Sequence, residues 1–133
     1  MISLFGVLLA AIVGMLFGWL WYGPLFGKLW MRESNVAAEK IEAVKAKGMK
    51  KQYISSFIFT LVSAYILAYF LNLLQVGTIE GVSSLVFWIW LGFQVPILIG
   101  SILWENRTFK FFTLNAVHNV IVLFIMGLVL LWI

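Results

Sequence analysis

The chain has 133 residues, of which 64% are hydrophobic and 11% charged, with a mean hydropathy of +1.08. Soluble domains carry about a quarter charged residues, and disordered chains need low hydrophobicity, so both classes are excluded and an integral membrane protein remains. With no cysteine, disulfides, thiolate nucleophiles, Fe–S clusters and cysteine-based zinc sites are excluded too; the net charge of +4 reflects Lys and Arg in membrane-flanking loops rather than a nucleic-acid partner.

A hydrocarbon layer about 30 Å thick is crossed by about 20 apolar residues of helix, and four stretches qualify, at about 2–22, 54–74, 82–104 and 111–133. The first has no charged residue before Lys28, so it lacks the positive region of a signal peptide and is read as a true span. Gly6, Ala10, Gly14 and Gly18 recur along it every four residues, a spacing that lets helices approach closely in lipid. Its end carries Trp19, Trp21, Tyr22, Gly23, Pro24, Lys28 and Trp30. Gly23-Pro24 should end or bend the helix, because the residue before proline disfavours the helical region. The aromatics should sit at the membrane interface with Lys28 snorkelling to the headgroups, as an anchor or as a rigid elbow at a cavity mouth.

The loop at about 28–52 follows. Ser34 can cap a short amphipathic helix through Val36, Ala37, Ile41 and Val44, stopped by Gly48. The segment serves either as a solvated loop that sets orientation or as a helix lying on the inner leaflet. The second span repeats the small-residue spacing with Ser56, Thr60, Ala64 and Ala68. The third carries Gly92, Pro96 and Gly100; Pro96 should kink it, and Gln94 is the nearby partner for the freed carbonyl. After a turn with Glu105 and Arg107, read as a solvated pair or as charges at a cytoplasmic mouth, the fourth span sets Asn115, His118 and Asn119 on one helical face. His118 lies roughly 12 Å along that helix, so this face must meet protein or water, with Gln94 as its counterpart, either as hydrogen-bonding glue between helices or with His118 as a protonatable site in a permeation path or ligand pocket.

All nine basic residues fall in the 28–51 segment or at Arg107 and Lys110. The positive-inside rule then places both basic loops in the cytoplasm and both termini outside. Trp19-x-Trp21-x-Gly23 recurs as Trp88-x-Trp90-x-Gly92. Counted along the spans, the two stand at different depths, so no duplication is read.

The stretch Trp21-Tyr-Gly-Pro-Leu-Phe-Gly-Lys-Leu-Trp-Met31 resembles the hallmark of a family of small bacterial membrane proteins, domain-of-unknown-function family seventeen-sixty-one. The resemblance continues through Gly48-Met49, Leu91-Gly-Phe93 with Pro96, Glu105-x-Arg107, Asn115-Ala116 and Gly127, and covers essentially the whole chain. It implies four helices in the bacterial inner membrane and no assigned activity. The chain departs from the family pattern at His118-Asn119, where members carry an aromatic-containing stretch.

The expected fold is therefore an all-α, four-span bundle with both termini outside. One such bundle is small for an enclosed pathway, so a homo-oligomer is expected. The first functional reading is a small transporter or channel for a small solute or ion, lined by Gln94, Asn115, His118 and Asn119. The second is a non-enzymatic accessory or scaffold subunit that docks lipids or a membrane-protein partner. A single histidine and scattered carboxylates argue against an enzyme, a metal site or a cofactor.

Overall fold

In lipid a backbone must satisfy its own hydrogen bonds, and the apolar runs do so as helices. A computed structural model describes residues 2–34 and 38–133. Helix α1 (Leu4–Leu20) opens at Ser3, whose hydroxyl accepts the Gly6 N–H at 3.0 Å. It runs through a widened turn (Trp21–Leu25) into the short α2 (Gly27–Glu33). Helix α3 (Ala38–Ala46) stops before Gly48, which takes φ +89°, and α4 (Lys50–Leu73) returns along the bundle. The next ascent is α5 (Ile79–Ile89), a second widened turn (Trp90–Gln94) and α6 (Val95–Glu105), and α7 (Phe109–Trp132) closes the fold. Thr78 and Thr108 cap α5 and α7 as Ser3 caps α1, each accepting an N–H three residues on.

Four helical segments are long and apolar enough to cross a membrane: Leu4–Leu25, Lys50–Leu73, Ile79–Glu105 and Phe109–Trp132. The second begins at Lys50 rather than near residue 54, because long lysine stems lie along an apolar helix while their ammonium groups reach water. The turns joining the later spans share one device. Gln75 (φ 52°) and Asn106 (φ 55°) adopt the left-handed conformation, and the next residue's N–H reaches back, Val76 to the Leu71 carbonyl and Arg107 to the Ser101 carbonyl.

The first-loop helix is present over Ala38–Ala46. Val36 and Ala37 lie outside the described residues, as does the Val44 side chain. Ser34 is buried and donates its hydroxyl to the Met31 carbonyl at 3.1 Å, so it closes α2.

One apolar core ties the spans together at the end of the bundle that carries the termini. Ala10, Ala11 and Ala64 are fully buried against Leu67, Val82, Val86 and Met126. The small residues act within the chain here. A side chain added at Gly14 would meet Met126 Sδ at 3.0 Å and Thr60 at 3.5 Å, and one at Gly6 would meet Ile133 at 3.5 Å. At Gly127 it would meet Val82 at 2.6 Å. The opposite end, where 28–51 and the α6–α7 turn come together, is the basic end.

Candidate ligand-binding cavity

Proline at position 24 lacks the N–H that an α-helix would bond to the Leu20 carbonyl, and its ring would collide with that carbonyl. The chain resolves this by widening the turn. The Phe26 N–H bonds the Trp21 carbonyl at 2.9 Å, five residues back, and the helix resumes at Gly27. Gly23-Pro24 therefore widens the helix rather than ending it. Gly27 is required by a close approach, since a Cβ there would stand 2.8 Å from the Tyr22 carbonyl oxygen. The second widened turn sits just before Pro96, which occupies the first turn of α6, where a missing N–H costs little.

Both widened turns lean on the same stretch of α7. His118 stacks on Phe17 with ring centroids 5.5 Å apart, and lies 4.8 Å from Tyr22 and 6.1 Å from Trp21. The Tyr22 hydroxyl donates to Asn115 Oδ1 at 2.6 Å, and the Asn115 amide donates to the Phe111 carbonyl at 3.1 Å. From the other side, Trp90 Nε1 donates to the Ala116 carbonyl at 2.8 Å. Trp21 and Trp90, the corresponding tryptophans of the recurring Trp-x-Trp-x-Gly pattern, thus each begin a widened turn and reach one turn of α7, at His118 and Ala116. The two patterns meet α7 within one turn, although they stand at different points along spans of 22 and 27 residues.

Beside this cluster lies a cavity of about 1030 Å³. Its walls come from α1, the first widened turn, α2, α3, the start of α4 and α7, with Gln94 from span three. Of the four polar residues expected to line a site, Gln94, His118 and Asn119 do so; Asn115 does not, being held by Tyr22 and its own helix. His118 Nδ1 lies 3.1 Å from Asn119 Oδ1, while His118 Nε2 and Gln94 Oε1 are buried with no hydrogen-bond partner among the described residues. No hydrogen bond from the Gln94 amide to a carbonyl freed by Pro96 is formed among the described residues. Each unpartnered buried polar atom costs roughly 1–3 kcal/mol unless a ligand or water meets it. Ser56, Thr60 and Ser63 add hydroxyls along the α4 wall.

The second small-residue stripe therefore divides: Ala64 and Ala68 pack into the core, whereas Ser56 and Thr60 face the cavity. On α1, Gly14 and Gly18 line it as well, with His118 Nε2 3.6 Å from where a Gly18 side chain would begin. Of the aromatic motif, Trp19, Tyr22 and Trp30 line the cavity with Gly23 and Lys28. Trp21 is buried behind it, its Nε1 also unpartnered. Glu105 and Arg107 stand outside the lining and do not pair with each other. Arg107 donates to the Ser34 carbonyl and stacks 5.0 Å over the Phe111 ring, and Thr108 donates to Glu33 at 3.0 Å, so the turn fastens α2 to α7. Lys40 and Lys45 of α3 were not singled out as site residues, yet both line the mouth with Lys28. The only signal for them in the sequence was their place on a Lys-rich helix. Among the described residues no three His, Asp or Glu side chains gather as a metal site would require.

No solved structure matches the chain. A fission yeast (Schizosaccharomyces pombe) protein described as a UPF0591 membrane protein is 25% identical over 102 residues, which is 75% of this chain and 69% of the yeast protein. The relative is eukaryotic, so a bacterial inner membrane rests on the resemblance alone. Residues 5–131 match the family described as protein of unknown function DUF1761. With its four apolar helices, the chain is a multi-pass membrane protein and belongs to the DUF1761 family.

Proposed function

We propose that the protein is a small-solute transporter of the carrier type, with no enzymatic role, that takes its solute into the cavity from the basic end. The observation that carries this reading is the pairing of that cavity with a closed opposite half. A second, smaller cavity of about 240 Å³, lined by Ser3, Asn72, Gly77 and Ile133, opens at the terminus end. Ala10, Ala64, Leu67 and Met126 fill the space between. A blocked path between two cavities suits alternating access better than an open channel, and broken helices beside a mid-membrane site are a recurring feature of carriers. The polar lining is Gln94, His118 and Asn119, now without Asn115. The concentration of Lys and Arg at the basic end supports a cytoplasmic face there, in bacteria the inner face of the inner membrane.

Span three supports assembly. Only 6% of its apolar window is buried within the chain, against 22–33% for the other three, which leaves a face for a second copy. The same face favours the second reading, an accessory subunit docked on another membrane protein.

The test uses the absence of native cysteine. Ser63→Cys, on the cavity wall, should react with a membrane-impermeant thiol reagent from both sides of sealed vesicles, and Ala64→Cys, in the core, from neither. Reaction of Ser63→Cys from one side alone would overturn the carrier reading.

A further inference from the structure

We infer that the cavity takes an anionic amphiphile, its phosphate or carboxylate head at Lys28, Lys40 and Lys45 and its apolar chain along the inner wall. This deepens the carrier reading and rests on its cavity. Among the described residues three lysines line the mouth, and no carboxylate does. The sorting is clearest on α3, which alternates Glu39, Lys40, Glu42 and Lys45 yet contributes only its two lysines and Ile41 to the lining. All four side chains are exposed, but only the two lysines border the cavity, and Glu39 and Glu42 lie outside its lining.

The rest of the lining is chemically different. Met15, Met31, Met49 and Met126 all line the cavity. Methionine is flexible and polarizable, and surfaces rich in it adapt to flexible apolar partners. Trp19 and Tyr53, both lining residues, remain more than half exposed, so the cavity is flanked by groups that belong at a membrane interface. His118 and Gln94 belong to this lining, but the unpartnered Nε2 and Oε1 atoms are themselves buried behind the surface that a ligand would touch. The volume, about 1030 Å³, is at the top of the range of about 300–1,000 Å³ that holds a drug-sized molecule.

The experiment follows the rate at which a maleimide modifies Ser63→Cys in the full chain, purified in detergent, with phosphatidylglycerol, oleate or phosphatidylcholine added. At least one anionic lipid should slow modification fivefold or more, and phosphatidylcholine should change it less than twofold. Protection by phosphatidylglycerol alone identifies a phosphate head, and protection by oleate alone a carboxylate. Lys28→Gln/Lys40→Gln/Lys45→Gln should abolish protection, while Lys47→Gln/Lys50→Gln/Lys51→Gln, the same loss of charge outside the cavity, should retain it. Should the first triple variant not fold, Lys40→Glu alone must reduce protection at least threefold. Equal protection by phosphatidylcholine, no protection by either anion, or equal loss in both triple variants overturns the inference. Labelling from both membrane sides without anionic protection leaves the carrier reading standing. Protection with labelling from one side only does the reverse.

Discussion

The two ends of the bundle use the same small-residue spacing to opposite effect. At the terminus end Ala10, Ala64 and Ala68 bring α1 and α4 together until nothing fits between them. Toward the basic end the same rows continue as Gly14, Gly18, Ser56 and Thr60, and there they border a cavity. Spacing selects the facing surfaces, whereas the neighbours decide whether those surfaces close. At the packed end the neighbours are Val82, Val86 and Met126, which fill the gap. At the basic end they are Tyr22, Trp30 and Tyr53, whose bulk stands at the walls.

The largest effect should follow a break in the packed end. Gly127→Val would drive a branched side chain into Val82, itself stiff at χ1 and fully buried, and should destabilise by the upper part of the about 1–3 kcal/mol typical of overpacking. Thermal unfolding in detergent reads this, and an unchanged Tm would mean that α5 and α7 are not in contact. Gly27→Ala should cost about 1 kcal/mol or somewhat more, because the Tyr22 carbonyl is backbone and can yield only by deforming the widened turn. A neutral result would show that the turn relaxes to an ordinary helix. Tyr22→Phe removes the bond to Asn115 and should lose about 0.6 kcal/mol, the average for such bonds between membrane helices, by reversible unfolding in mixed micelles. A loss of several times that would make the Tyr22–Asn115 pair a keystone of the basic end. Smallest of all, Gly23→Ala meets no atom within 4 Å and should fall within about 0.5 kcal/mol of the parent, setting the two glycines of one motif apart.

The spans were legible because twenty-odd apolar residues in lipid have one backbone solution, and the basic segments divided them cleanly. That Gln94, His118 and Asn119 share a cavity was also within reach, since polar side chains at that depth must avoid lipid. Other features depend on contacts that no local pattern encodes. Asn115 shares its face with His118, yet Tyr22, 93 residues away, claims its oxygen. A widened turn holds one residue more than an α turn, and hydropathy does not register the surplus. The position of α3 over the cavity could not be read from loop length, because a loop of that size can fold in any direction. Arg107 looked like a partner for Glu105 because they are near in sequence; the left-handed Asn106 between them turns the chain, and Arg107 meets Ser34 instead.

That surplus residue also acts as a phase setting. Each residue of an α-helix advances the helical face by about 100°, so one extra residue at Trp21–Leu25 rotates α2 by roughly that angle from the heading α1 would have imposed. The rotated heading carries Glu33 and Ser34 to Thr108 and Arg107. Deleting Pro24, which removes both the surplus residue and the ring that forces the widening, would return the helix to its original phase and swing both groups away from the α6–α7 turn, unfastening the floor of the bundle while the apolar contacts of its upper half stay in place.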